Sequence, residues 1–284
     1  MISDSVLDAC LAQDPDSKGA CETMAKDDFV VLSGEITTKA NINVEQIAKD
    51  TIKRIGYTYV PRVLNLISKQ SPDIAQGVDV GGAGDQGIMF GYANTETKEY
   101  MPLAITMAHE LVKLATTLRR NGDFKWADPD MKSQVTLEYD DNRKATIHTM
   151  LMSIQHDENF DEKEFKKFIK EQIMDKIALK HNLNTNFRVL INPTGKFVIG
   201  GPEGDAGLTG RKIIVDTYGG YAPHGGGAFS GKDPSKVDRS AAYMARYLAK
   251  NIVASKIADE CLIQLSYAIG VKQPISIYVD CKGT

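Results

Sequence analysis

The sequence predicts an α+β protein of three similar units, with helices lying on one face of largely antiparallel sheets. Two observations carry this. Strand-like and helix-like runs recur three times in similar proportions without strict βαβα alternation, and 284 residues at about 150 per domain leave room for two or three compact units, each able to bury a core. The units divide at residues 1–72, 73–199 and 200–284, and no sequence repeat relates them. The third stops directly after a strand, where a unit the size of the others needs more helix to cover its sheet, so it is expected to be cut short.

Residues 2–11 read as a helix, with Ile2, Val6 and Cys10 four apart, ending at Gln13-Asp14-Pro15-Asp16. Residues 29–37 are strand-like, and residues 43–55 form an amphipathic helix carrying Val44, Ile47, Ala48, Ile52 and Ile55, stopped by Gly56. Residues 70–91 hold so much glycine, and so few large apolar side chains before Ile88, that they read as a loop. A helix follows over 102–121 with Met107, Ala108, Leu111 and Ala115 in its buried stripe. Val135, Leu137 and Tyr139 alternate as in a half-buried strand, residues 147–155 give a second, and Phe165, Phe168, Ile169, Ile173 and Ile177 stripe a further helix. Short strands at 187–191 and 197–199 lead into the last unit. It comprises glycine-rich residues 200–210, a strand at 213–217, glycine-rich residues 219–231, a helix from Pro234 to about Ala254, and strands at 262–268 and 275–279.

The composition narrows the function. Thirty-four Lys and Arg against 37 Asp and Glu leave a net charge of −3, and 42% hydrophobic with 25% charged residues is ordinary for a globular chain. A nucleic-acid binder held by overall charge is excluded. No apolar run approaches the roughly 18–20 residues that span a bilayer, and Met1-Ile2-Ser3-Asp4-Ser5 has neither a basic start nor an apolar stretch, so a cytoplasmic protein without a membrane partner is expected. Cys10, Cys21, Cys261 and Cys281 lack C-x-x-C spacing and read as reduced thiols, while the five histidines show no metal-ligand spacing.

The chemistry concentrates in Gly225-Gly226-Gly227-Ala228-Phe229-Ser230-Gly231-Lys232-Asp233. Gly226, Gly231 and Lys232 have the G-x-x-x-x-G-K spacing of a phosphate loop, but Asp233 stands where Ser or Thr should hold magnesium, which argues against a P-loop phosphotransferase. Asp233 reads instead as an N-cap and Pro234 as a first helical residue, aiming free N–H groups at the loop. Lys232 and Lys236 add positive charge, and Asp238 can hold a cation on a bound anion. Alone, such a run is more often a solvated glycine turn. Here Asp205, Arg211 and Lys212 sit in or beside a second glycine-rich segment, and the combination of cations and carboxylates suits a polyphosphate with magnesium. In a third loop, Asp85 is as readily a turn-capping residue as a functional one.

Gly82-Ala83-Gly84-Asp85-Gln86-Gly87-Ile88-Met89-Phe90-Gly91-Tyr92 and the run from Gly225 to Asp233 resemble the two signature segments of bacterial S-adenosylmethionine synthetases (methionine adenosyltransferases). The resemblance extends over essentially the whole chain, including Ala20-Cys21-Glu22-Thr23, Gly34-Glu35-Ile36-Thr37 and Lys69-Gln70-Ser71-Pro72-Asp73. It implies three domains with pseudo-threefold symmetry, assembled as homodimers or homotetramers with active sites shared between subunits, acting on ATP and L-methionine with Mg2+ and K+. It further implies ATP contacts from Asp130, Lys132, Lys196, Phe197, Asp205, Arg211, Lys212, Ala228 and Lys232, with Asp238 on magnesium and Glu22 on potassium. Glu35, Gln70, Asp85, Asp205 and Lys236 fall around methionine, and Lys132, Arg211, Lys212, Lys232 and Lys236 would carry the catalytic charge. Residues 70 to about 80 match the family's gating loop.

The family places an N-terminal strand and a Gly-His-Pro-Asp-Lys loop before the point where this sequence starts, and more chain beyond the point where it stops. No histidine here replaces that loop by motif, and residues 56–69 and 78–81 are shorter than in relatives. The alternative to an active enzyme is therefore a catalytically impaired homologue serving as a nucleotide-binding or oligomerisation module. Several side chains keep two readings: Glu22 as a salt-bridge partner, Phe197 as core, Cys21 as a small buried residue, and Tyr218, Tyr221 and Phe229 as packing or substrate contacts. His224, beside the glycine run, is read as structural.

Overall fold

Three sheets, each with its own helices, make up the residues that the computed structural model describes, 1–69 and 81–283. The expected loop at 70–80, with Gln70, lies outside the described residues. Helix α1 (Ile2–Gln13) is followed by β1 (Lys18–Lys26) and β2 (Phe29–Thr37), an antiparallel hairpin turning at Asp27, whose φ of 51° is left-handed. Helix α2 (Val44–Ile55) forms as its ends dictate. Asn43 accepts the Gln46 N–H at 3.0 Å as N-cap, and Gly56 closes the helix in a left-handed conformation. The chain then returns as β3 (Arg62–Ser68), parallel to β2. Val30 and Leu32 of β2 bury against Ala48 and Ile52 of α2 and Ile2 of α1.

The second sheet corrects the sequence reading. Residues 87–91, expected as loop, begin strand β4 (Gly87–Asn94). Helix α3 (Leu103–Arg120), β5 (Ala127–Tyr139), β6 (Ala145–His156), α4 (Glu162–Phe168), a π-helical stretch Ile169–Met174, α5 (Asp175–Lys180), β7 (Arg188–Ile191), α6 (Gly201–Gly204) and β8 (Gly207–Leu208) come next. The chain ends with α7 (Val237–Ala254), β9 (Glu260–Tyr267) and β10 (Ser276–Asp280). The strand order β10-β9-β4 makes β4 pair with β9, across a sequence separation that no local signal encodes. Ala241, Ala242, Ala245 and Ala249 of α7 lie directly on this sheet. A Cβ on Gly91 would sit 2.0 Å from the Ala245 carbonyl carbon, so glycine there permits close helix–strand packing.

The third sheet, β5-β6-β7, carries Met150, Met152 and Ile154 against Met107 and Leu111 of α3 and the run Phe165, Ile169, Ile173 and Ile177. Those last four residues recur every four positions, wider than the 3.6 of an α-helix. The π-helical stretch supplies the wider turn that keeps them on one face.

The α+β expectation with mostly antiparallel sheets holds, β2–β3 and β6–β7 being the parallel pairs. Packing gathers the chain into two compact units, Met1–Pro102 with Ala206–Thr284, which contains the first two sheets, and Leu103–Asp205, which contains the third. Two expected strands are absent. Residues 197–199 lie outside any ladder, and residues 213–217 coil into turns, Asp216 N–H bonding Lys212 O at 3.0 Å. Among the described residues no helix is long and apolar enough to cross a membrane, and the four cysteines are free thiols.

Candidate functional site

Strand β1 offers its outer edge to two distant segments. β8 pairs with Met24 and Ala25, while residues 231–233 run antiparallel beside residues 19–21. Cys21 N–H bonds Gly231 O at 3.1 Å, and Asp233 N–H bonds Gly19 O at 3.0 Å. The glycine loop is thereby fixed to a sheet at its Lys232 end.

Asp233 is not the helix cap that the sequence suggested. Helix α7 starts at Val237 with Lys236 at the N-cap position, so Pro234 lies in the preceding turn. Asp233 is instead 1% exposed and accepts the N–H groups of Gly19 at 2.6 Å and Ser235 at 2.7 Å, with Lys236 Nζ at 3.1 Å. Burial alone would raise its carboxyl pKa, but these donors together outweigh burial and hold it below the ordinary value. Lys236 is thus tied to a structural carboxylate.

Lys232 Nζ meets Asp238 Oδ2 at 2.6 Å, both side chains being partly buried. The Asp238 carboxylate lies so close to the loop that a Cβ on Gly227 would stand 2.3 Å from its Cγ. Glu22 on β1 senses the same lysine: burial pushes its pKa up, and Lys232 only partly opposes this. Neighbouring Cys21 is buried, with its thiol pushed to about 11 by burial first and Glu22 second, which makes it an inert packing residue. His224 Nδ1 accepts the Gly226 N–H at 2.7 Å, and burial lowers its pKa, so it braces the loop as a neutral ring. Phe229 packs edge-on to Tyr243 and against the second core, and Tyr218 is buried beside Tyr92. Tyr221 is exposed.

Two residues escaped the sequence reading. Asp4 of α1 accepts the Gly231 N–H at 3.0 Å, and Arg239 Nη1 donates to Lys232 O at 3.0 Å, the two side chains being 4.0 Å apart. Asp4 is 227 residues from Gly231, and no spacing rule reaches that far.

The remaining predicted residues fall in both units. Arg211, Lys212 and Ala228 belong to the same unit as Lys232, and Arg211 and Lys212 are exposed. Asp130, Lys132, Lys196, Phe197 and Asp205 belong to the other. There, Asp130 Oδ2 accepts the Gly201 N–H at 2.9 Å, and Lys132 Nζ stands 5.3 Å from the centre of the Phe197 ring. Lys196 and Asp205 are exposed. Among the described residues, Lys132 and Lys196 of one unit and Arg211 and Lys212 of the other form no ion pair. Glu35 is exposed on β2 with no hydrogen bond or ion pair to the Lys232 group among the described residues, and Asp85 caps its own turn through the Gln86 N–H at 2.7 Å. No group of three or more His, Cys, Asp or Glu suited to a metal occurs among the described residues. Glu22 and Asp238 are single carboxylates.

Comparison with known proteins places every part of the chain. Family models described as S-adenosylmethionine synthetase N-terminal, central and C-terminal domains match residues 1–72, 80–197 and 199–284 in that order. The S-adenosylmethionine synthase of Mesoplasma florum is 59% identical over 295 residues, covering 100% of this chain and 78% of the relative. That of Mycoplasma capricolum is also 59% identical, with 76% of the relative covered, and that of Brachyspira hyodysenteriae is 52% identical, with 77% covered.

Proposed function

This chain belongs to the S-adenosylmethionine synthetase family, and on that premise we propose how its residues make S-adenosylmethionine from ATP and L-methionine, with release of phosphate and pyrophosphate. The match along the whole chain carries the reaction, and it disfavours the non-catalytic alternative. The Lys232–Asp238 pair held against Gly227 carries the proposed location of the phosphates.

The methionine sulfur is a neutral thioether. Its lone pair forms the new S–C5′ bond while the C5′–O bond breaks, and that electron pair leaves with tripolyphosphate, which is then hydrolysed before release. No proton leaves sulfur, so no general base is needed. The protein has to align the reactants and stabilise the departing anion. Lys132, Arg211, Lys212, Lys232 and Lys236 supply the positive charge in this reading, and the absence of ion pairs at Lys132, Arg211 and Lys212 among the described residues supports it. Asp130, Lys196, Phe197, Asp205 and Ala228 complete the nucleotide site. Glu35, Gln70, Asp85, Asp205 and Lys236 line the methionine side.

Metal ions fit the donor set. Mg2+ is ordinarily held by one or two carboxylates together with substrate phosphates, and Asp238 is one such carboxylate at the loop. Glu22, whose burial leaves its charge poorly compensated, suits K+. A bound Mg2+ would neutralise charge on the tripolyphosphate. Ile277, Tyr278 and Val279 lie exposed along β10, an apolar strip that supports self-association as a homodimer or homotetramer. The test is incubation with ATP, methionine, Mg2+ and K+, with products followed by mass spectrometry. S-adenosylmethionine in excess of a Lys232→Ala control supports the reading, and equal amounts from both chains would sink it.

A further inference from the structure

One histidine replaces a strand at the end of β6. His156 N–H donates to Phe197 O at 2.9 Å, and His156 Nε2 accepts the Phe197 N–H at 3.0 Å. Nδ1 lies 2.8 Å from Asp157 O, an acceptor, so Nδ1 is the donor and Nε2 the acceptor in this hydrogen-bond arrangement. Both backbone groups of Phe197 are therefore satisfied by a single residue, outside any ladder. Gln155 Nε2 holds the next carbonyl, Val198 O, at 2.9 Å. The His156 ring is fully buried, stacked on Phe160 at 3.7 Å between centroids and edge-on to Phe165 at 5.4 Å.

A ring so confined passes its position to Phe197, whose own ring lies beneath the Lys132 ammonium. We infer that His156 is a positioning residue for the nucleotide base: by holding both backbone groups of Phe197 it sets the platform on which a purine stacks. This rests on the reading above that Phe197 receives the base. Stacking rewards a fixed ring plane, because the base cannot reorient while its phosphates are anchored elsewhere. The effect of His156 should therefore fall on ligands that carry a base and spare those that do not.

Equilibrium binding of ATP and of inorganic tripolyphosphate to the 284-residue chain separates the two parts. His156→Leu is expected to weaken ATP about tenfold, the scale of one base–aromatic stack, with tripolyphosphate changed by less than about twofold. His156→Gln, whose Oε1 comes near the place of Nε2, should restore most of the loss. Adding His156→Leu to Phe197→Leu should weaken ATP no further. Equal weakening of both ligands by His156→Leu would overturn the inference, as would a glutamine variant no better than leucine. ATP binding untouched by Phe197→Leu would overturn the platform reading itself, and His156's role with it. Should His156→Leu fail to fold, Gln155→Met tests the same support from Val198: weaker ATP with unchanged tripolyphosphate is the expected result, and equal loss of both overturns it.

Discussion

Two glycine-bearing regions meet opposite fates. Residues 87–91 become the start of a buried strand, whereas residues 225–231 remain a loop held at both ends, Gly225 against the Ile88 backbone and Gly231 on β1. The difference lies in what approaches each. An alanine-faced helix lies on Gly91, while the other run holds the Asp238 carboxylate at Gly227 and is pinned by Asp4, Arg239 and β1. At Gly91, Gly225 and Gly227 glycine marks a close approach to the backbone, whereas Gly226 faces open space. Glycine content alone does not distinguish these positions, nor say whether a helix or a polar group approaches.

The largest break of this comparison is Gly91→Val. With Ala245 backbone 2.0 Å from the new Cβ, the loss should exceed about 4 kcal/mol, and the variant should fail to fold cooperatively by circular dichroism. A wild-type melting temperature would mean that α7 does not rest on β4. Lys232→Ala acts on the loop side: product formation should fall about 100-fold or more, the usual cost of one preorganised charge contact on a developing anion, without loss of the cooperative melt.

Asp233→Asn should cost about 2 kcal/mol at neutral pH, since a buried acceptor of two backbone N–H groups is compromised. Because folding lowers this carboxyl's pKa, its stabilisation is complete above the unfolded value of about 3.9 and fades as pH falls through the lower folded value. Denaturant midpoints of wild type and variant should therefore converge in acid, and a gap independent of pH would show that the charge is irrelevant. The mildest change is Gly226→Ala. Its φ of 104° is unfavourable for alanine but open space surrounds the site, so about 1 kcal/mol is expected in chemical denaturation, far less than at Gly91.

Much of the fold was legible wherever a signal and its consequence lie within one turn or one hairpin. Asn43 and Gly56 bound α2, the 29–37 strand appears, and the 102–121 helix appears with its expected stripe. The residue types of the glycine loop were legible in the sequence, whereas the pairing of Lys232 with Asp238 and its closeness to Glu22 came from the structure. Strand β1 passed unnoticed as an element, and Ile213-Ile214-Val215 looked like a strand yet coils into exposed turns. Asp233 had the local appearance of a cap, yet Gly19, 214 residues away, claims its carboxylate.

By itself, the sequence determined the family, the α+β class and the inventory of charged groups, because these depend on composition, short-range periodicity and local backbone preference. Only the tertiary structure decided which glycines are packed under a helix, which carboxylate is structural and which faces the loop, and that His156 supports Phe197. Those outcomes depend on burial and on hydrogen-bond partners from distant segments. Local preference is blind to such partners until the sheets bring them together.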